Sequence, residues 1–563
     1  MGRRGHWDHR VEGGRVTLGT APQPGLLTDP VDEFCDSQLD DQSLYALLHR
    51  ERERLFPDEV FADLFTGRGR RSIPPSIVAT VMVLGRLQGL SDVEAMDRFT
   101  YDARWRYACG VGSWDEGLVE FDRTVLVRFR MKLEQSEDPR RVFRRTTQIA
   151  AEAGLVGVKR VLDSAPLFDA VATMDTVTLI RSAIRGLLKA AGSELEAELR
   201  AVVSGEDDYV APGKPVCDWD DEQARTAVVD ALACDGLALL NVIDGRPLPA
   251  RVAERAELVA LVIGQDLAAD EDGVWRIVRG VAQDRIISTV DPDARHGRKS
   301  TSGKFDGYKG HIAVDPDSEV ITDTAAGPAN AGDGQMIEQL TRDLDTHDPT
   351  PADDDAEGPD GTQNVDGDHN GQDEDAADDA AVYGDAAYGV GGQLAGLKQR
   401  GINAMVKTQP PVSRGGMFSK DDFDIDLDQD TVTCPDGNTV PIRRSKDGAG
   451  KASFAGHCDE CPLREQCTTS QRGRTVSVHE HEDLLARQRQ RSRDPAWLAD
   501  YRATRPKVER KLAHLVRRGR RARRRGLAKV DADWNMLAAA ANLARLAKLG
   551  VCFRDGTWQP APG

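Results

Sequence analysis

Between Thr346 and Ala380 the chain carries 13 Asp plus Glu and not one Lys or Arg. A stretch so charged buries too little apolar surface to offset the entropy of ordering it, so it reads as a disordered insertion. Whatever folds must therefore be assembled from the segments on either side. The same tract distorts the overall charge: of the formal −19, only −6 belongs to the remaining residues.

Charge elsewhere is strongly uneven. Arg487 to Lys529 holds 17 Lys plus Arg against Asp494, Asp500 and Glu509, a local +14 that offers a phosphate-binding face. The plainer alternative is a solvated helix. No apolar run approaches membrane-spanning length; the best, Ile77 to Leu84, stops at Gly85-Arg86. The expectation is a cytoplasmic protein without membrane contact, nucleoid-associated when bound to DNA.

Pattern divides the 563 residues as follows. Residues 1–35, rich in Gly, Pro and charge, read as a loose arm. Residues 36–155 are helical: Ser91 and Glu94 form a capping box, and Asp122 can cap a short helix exposing Arg123, Arg128, Arg130 and Lys132. Several short helices ending in a basic one suit a DNA-binding module, with a plain helical bundle as the alternative. Residues 156–548 then alternate. Val158 to Leu162 is a strand ending on Asp163; Gly307 to Val314 and Glu319 to Thr324 form a hairpin; a helix from about Gly334 to Leu344 precedes the acidic insertion 346–380; Ala381 to Gly384 is a strand leading to Asp385; a helix near Gly392 to Gln399 and a strand Ile402 to Lys407 follow. That order predicts an α/β fold with a ribonuclease H-like mixed five-stranded sheet, preceded by the helical domain. Insertions interrupt it: a helical one over about 170–300 and a Cys-containing one over about 408–495. Residues 549–563 read as a C-terminal tail.

Asp163 and Asp385 each end a strand in this reading. Two carboxylates on adjacent strands repel unless a divalent cation neutralises them, and Mg²⁺, a hard ion that leaves room for phosphate oxygens, suits the task. With a third carboxylate, two such ions about 3.5–4 Å apart can promote in-line displacement at phosphorus. Taken singly, a strand-end Asp is more often a turn former than a ligand, and it is the place of each in the element order that favours the metal reading. The third acid is Glu509, alone in its basic surroundings. On a helix over about Trp497 to Leu515, Tyr501, Arg505 and Glu509 are spaced by four and share one side, with Leu512 and Val516 turned toward the core.

These segments together resemble the bacterial insertion-sequence transposases of the DDE type, in the branch with a Tyr-Arg-Glu signature. The resemblance spans roughly Gln38 to Leu549 and rests on VLDS around Asp163, HGRKSTSGKFDGYKGHIAVD from His296, YGDAAYG around Asp385 and YRATRPKVERKLAHL around Glu509. It implies a catalytic and metal-binding triad of Asp163, Asp385 and Glu509 using Mg²⁺ or Mn²⁺. The implied activity is cleavage and strand transfer on double-stranded DNA by a homodimer. Two departures stand out: Arg505 follows Tyr501 after three residues where the signature has two, and Val516 occupies the expected Lys position, with Arg517 next. Arg295, His296, Arg298, Lys299, Lys304 and Lys309, with Tyr501, Arg505, Lys507 and Arg517, are the candidate DNA contacts. A metal-dependent nuclease without joining activity, or a non-catalytic DNA-binding descendant, remain the alternatives.

Nine cysteines are present. Cys434, Cys458, Cys461 and Cys467 fall in one segment and can close a tetrahedral structural Zn²⁺ site, with His457 a substitute ligand and four reduced thiols the alternative. Cys35, Cys109, Cys217, Cys234 and Cys552 are scattered and read as packing residues.

Overall fold

The strand expected to end at Asp163 runs on past it. In the computed structural model, which describes residues 17–20, 29–112, 121–169, 172–204, 207–299, 303–346, 380–413 and 415–561, strand β1 spans Lys159–Phe168, and Asp163 lies in its middle. Numbered in chain order, the central sheet adds β2 (Arg295–Arg298), β3 (Lys304–Val314), β4 (Ile321–Pro328), β5 (Ala381–Gly384) and β6 (Asn403–Val406). β1 pairs antiparallel with β3 from Val161 to Phe168 but parallel with β5 only from Lys159 to Val161. Between Val161 and Phe168 one edge of β1 carries no paired strand, which accommodates Pro166, a residue that cannot donate to a ladder.

β3 pairs antiparallel with both β4 and β2 on its far side, and β5 pairs parallel with β6. The sheet is thus mixed and has six strands where five were expected, because the 11-residue β3 outruns β4 and leaves room for β2. Alternation splits it into two faces. Val161, Ala165, Leu167, Tyr308, Ile312 and Val314 join the main core with the N-terminal helices and the helices Pro495–Gly519 and Leu527–Lys548. Leu162, Ala313, Ala325, Val382 and Val406 face a smaller core under the helix Gly391–Gln399. Gly310 of β3 lets Trp534 lie flush on the sheet: a Cβ there would sit 2.7 Å from Trp534 Cε2. The Trp534 indole N–H donates to the His311 carbonyl at 3.1 Å.

Helices fill the N-terminal region as expected, beginning at Pro30–Gln38, so the arm expected over 1–35 is shorter; residues 1–16 and 21–28 lie outside the described residues. The Ser91–Glu94 capping box forms, and Asp122 accepts from the Thr124 amide at 2.8 Å. Arg130, expected on an exposed face, is half-buried instead, held by Asp92 at 2.6 Å. In the helical insertion, Thr176–Ala190 and Gly192–Arg200, separated at Ala191, build a separate apolar core with Glu222–Ile243 and Ala250–Asp266.

Four further expectations are corrected. Glu222–Ile243, with a mean hydropathy of 1.7 in its best window, is long and apolar enough by length and composition to cross a membrane, and 39% of that window is buried. The helix expected from Gly334 to Leu344 is a string of single turns, Asp333–Met336, Ile337–Leu340 and Arg342–Thr346, since Gly332 and Gly334 weaken a helical start. The tail carries a hairpin, Cys552–Arg554 with Thr557–Gln559, whose Trp558 is buried in the main core. Cys35, Cys109 and Cys552 are buried packing residues, but Cys217 is half-buried and Cys234 exposed. The acidic insertion expected over 346–380 lies, at 347–379, outside the described residues.

Candidate active site

Register brings the first two acids together. β1 and β5 run parallel with Val161 opposite Tyr383, so two residues on, Asp163 comes level with Asp385, which directly follows β5. Neighbouring strands lie about 4.8 Å apart, and residues two positions on keep the same face. Val161 and Tyr383 both belong to the main core, so the two acids face the Pro495–Gly519 helix.

That helix starts where Asp494 accepts from the Trp497 amide at 2.9 Å, with Pro495 at its first position. Tyr501 anchors it. Its phenol donates to the Gly384 carbonyl at 3.1 Å, its ring stacks on Trp497 at 5.0 Å between centroids, and Lys407 Nζ lies 4.9 Å from the ring centre. Asp500 supplies a second tie, accepting from the Tyr383 phenol at 2.7 Å. Expected as a DNA contact, Tyr501 is instead buried, fixing the helix to the end of β5.

One turn further, Arg505 reaches the acids: Nη2 lies 3.2 Å from Asp163 Oδ1 and Nη1 3.8 Å from Glu509 Oε1. Its side chain is 8% exposed, whereas that of Glu509 is 59% exposed, so the third acid stands at the rim while the arginine expected to meet DNA sits inside. Arg505 Nε and Nη1 are buried without a hydrogen-bond acceptor. Pro506 follows and removes one bond from the helix ladder beside this contact.

The carboxylates differ in their electrostatics. Burial pushes the Asp385 pKa above the ordinary value; the Ala387 amide and Arg505 pull it down, while Asp163 and Asp333 add to the rise. Asp333 had no sequence signal in a chain so rich in Asp. It accepts from Ser164 Oγ at 2.5 Å and Lys309 Nζ at 2.7 Å; burial opposes its ionisation, but those two donors hold its pKa below the usual range. Two further buried groups went unread. His311 is 1% exposed, and burial lowers its pKa to about 4. Tyr388 carries its hydroxyl, without a partner, among Asp163, Asp333 and Asp385, and burial raises its pKa.

Among the described residues no group of three or more His, Cys, Asp or Glu side chains is already gathered so as to hold a metal ion. The donor types still suit a hard divalent cation: two carboxylates come level on neighbouring strands, and burial penalises the charge of one. Arg505 supplies that positive charge here.

The other expected contacts divide. Arg295 pairs with Asp284 at 2.8 Å, His296 with Asp306 at 2.6 Å, and Lys309 with Asp333, so these three brace the sheet. Lys299 Nζ donates to the Ser164 carbonyl at 2.9 Å, directly beside Asp163. Arg298 and Lys304 are exposed where β2 meets β3, Lys507 lies 3.4 Å from Asp317, and Arg517 is exposed. The basic segment after the long helix is stitched to β1: the Phe168 amide donates to the Arg520 carbonyl at 2.8 Å, and the Ala522 amide to the Phe168 carbonyl at 2.7 Å. Five residues of strand separate that junction from Asp163, about 16 Å at 3.3 Å per residue.

Two family models match the chain. Residues 35–132 match a Transposase domain (DUF772), and residues 433–547, which include Glu509 and the basic segment, match a Transposase DDE domain. Comparison with curated proteins and with solved structures finds no match.

Proposed function

We propose that this chain, a DDE-type insertion-sequence transposase by its two family matches, cuts and joins double-stranded DNA at a site formed by Asp163, Asp385 and Glu509. The carrying observation is the register that sets Asp163 level with Asp385, beneath a helix whose Arg505 links Asp163 to Glu509. We read the sheet as a ribonuclease H-like core; the order β4-β3-β1-β5-β6, antiparallel through β1 and parallel beyond it, supports that reading. Tyr501, Arg505 and Glu509, in that order on one helix, support the Tyr-Arg-Glu branch, with Arg505 one residue farther from Tyr501 than in the signature.

When bound, a divalent cation, Mg²⁺ or Mn²⁺, would supply Lewis-acid polarisation of the phosphate and activation of the attacking oxygen. Asp163 and Asp385 would hold it, with Glu509 closing from the rim. Arg505, whose buried Nε and Nη1 lack acceptors, offers both to a phosphate oxygen. Lys299 and the segment from Arg517 to Arg525 hold the flanking backbone. Water attacks first to free a 3′-hydroxyl, which then attacks target DNA without a covalent protein intermediate. Handling two ends together calls for a homodimer acting at the nucleoid.

Asp385→Asn is expected to abolish cleavage while leaving DNA binding intact, read by gel assays on the sequences flanking the gene. Unchanged cleavage refutes the assignment of Asp385. With the unaltered protein, nicked ends that are never joined to target would reduce the activity to that of a nuclease.

A further inference from the structure

The Cys-bearing insertion plays no part in that chemistry, and its architecture poses a separate question. It consists of two small three-stranded sheets: Asp424–Asp426, Thr431–Thr433 and Thr439–Pro441 form one; Arg443–Arg444, Gly450–Ser453 and Thr475–Val478 form the other. Strands this short, with a core of a few side chains such as Phe423, Val432, Ala452, Phe454 and Val476, bury little apolar surface. Small units of this kind commonly need a disulfide or a metal to hold them.

All four clustered cysteines line a single cavity of about 20 Å³ between the sheets, room for little more than one atom. Cys434 comes from the first sheet, in a turn where its carbonyl accepts from the Gly437 amide at 2.8 Å; Cys458, Cys461 and Cys467 come from the second. The backbone treats one of these sulfurs, that of Cys458, as an acceptor. The Arg474 amide donates to Cys458 Sγ at 3.4 Å. Gly473 permits this approach, since a Cβ there would stand 3.3 Å from Cys458 Sγ in a backbone with φ +81°. Amide donors aimed at sulfur stabilise thiolate far more than thiol. Two guanidiniums close the lining: Arg464 Nη1 donates to the Cys458 carbonyl at 3.0 Å and Arg474 Nη1 to the Cys467 carbonyl at 3.3 Å.

We propose that Cys434, Cys458, Cys461 and Cys467 bind one structural Zn²⁺ that staples the two sheets of the insertion. Four thiols give up their protons on binding, and the resulting tetrathiolate carries a net −2 that Arg464 and Arg474 offset. None of the described side chains is already gathered to hold a metal, so binding draws the sulfurs inward around the cavity they share. His457 lines the same cavity, but the four thiols complete a tetrahedral set without it.

The test is metal analysis of the full chain purified without chelator under reducing conditions. One zinc per chain is expected, released stoichiometrically as a mercurial reagent titrates the thiols of the unaltered protein. Co²⁺ exchanged into the site should show thiolate-to-metal charge transfer and the visible bands of tetrahedral cobalt. Cys458→Ser and Cys467→Ser should lose the metal, while Cys109→Ser should keep it. Zinc-replete protein that retains no metal, or a Cys458→Ser chain that folds and binds zinc as before, overturns the proposal. Because the titration uses unaltered protein, a variant that fails to fold does not remove the test. Loss of zinc binding would leave the DNA chemistry of Asp163 and Asp385 untouched, so the two readings fail independently.

Discussion

At the residue scale the site is governed by what surrounds Asp385. Burial, then Asp163 and Asp333, raise its pKa while Arg505 restrains it. The carboxylate must be ionised to hold a cation, so cleavage should fall as pH drops through that raised value. Arg505→Gln removes the restraint, and the acid limb of the pH–rate profile should move to higher pH, on top of a reduced rate; an unmoved limb would show that Asp385 does not set it. The His311 pKa is shifted in the opposite direction, and its consequence is for stability. Its folded pKa of about 4 lies below the ordinary 6.5, so between those values the unfolded chain takes up a proton that the native state refuses. Stability is fully present above pH 6.5 and declines toward pH 4, by at most about 3 kcal/mol at 1.36 kcal/mol per unit. His311→Met should therefore narrow the difference in urea midpoint between pH 7 and pH 5. The sequence announced Asp163 and Asp385 through the apolar strands leading to them. Asp333 stayed hidden because its partners Ser164 and Lys309 come from strands whose alignment only folding reveals.

At the scale of elements, most strands and helices were legible because apolar alternation and capping residues mark them. β1, expected to end on Asp163, runs on through Pro166, a residue that ordinarily ends a central strand. It is tolerated because β5 stops pairing at Val161, and the gap beside β1 is the one into which Asp385 and the Arg505 helix turn are set. Where β3 passes under the Leu527–Lys548 helix, Gly310 sets the clearance. Gly310→Ala would press a methyl against the Trp534 ring and should cost about 1–3 kcal/mol by overpacking. Thermal unfolding checks this; a variant as stable as the parent would mean that the ring moves aside freely.

At the scale of the whole molecule, the two ends of the sequence share one core. Arg86, 5% exposed on Pro75–Gln88, meets Asp533 of Leu527–Lys548 with Nη2 to Oδ2 at 2.9 Å and Nε to Oδ1 at 3.0 Å. Nothing local predicts a pairing across 447 residues. Asp533→Leu strands a buried guanidinium and should lower the unfolding free energy by about 3–5 kcal/mol, with much of the loss recovered when Arg86→Met is added. Denaturant unfolding of both variants checks this, and an additive double mutant would show that the pair is not coupled. The Leu527–Lys548 helix packs on β4, on Arg141–Glu152 and on Pro75–Gln88 at once. It is also translated after every element it supports. During synthesis, the sheet and the N-terminal helices must wait with their shared apolar face uncovered until that helix leaves the ribosome. The basic segment before it emerges first, so the newly made chain carries its densest cluster of cations before its core is closed.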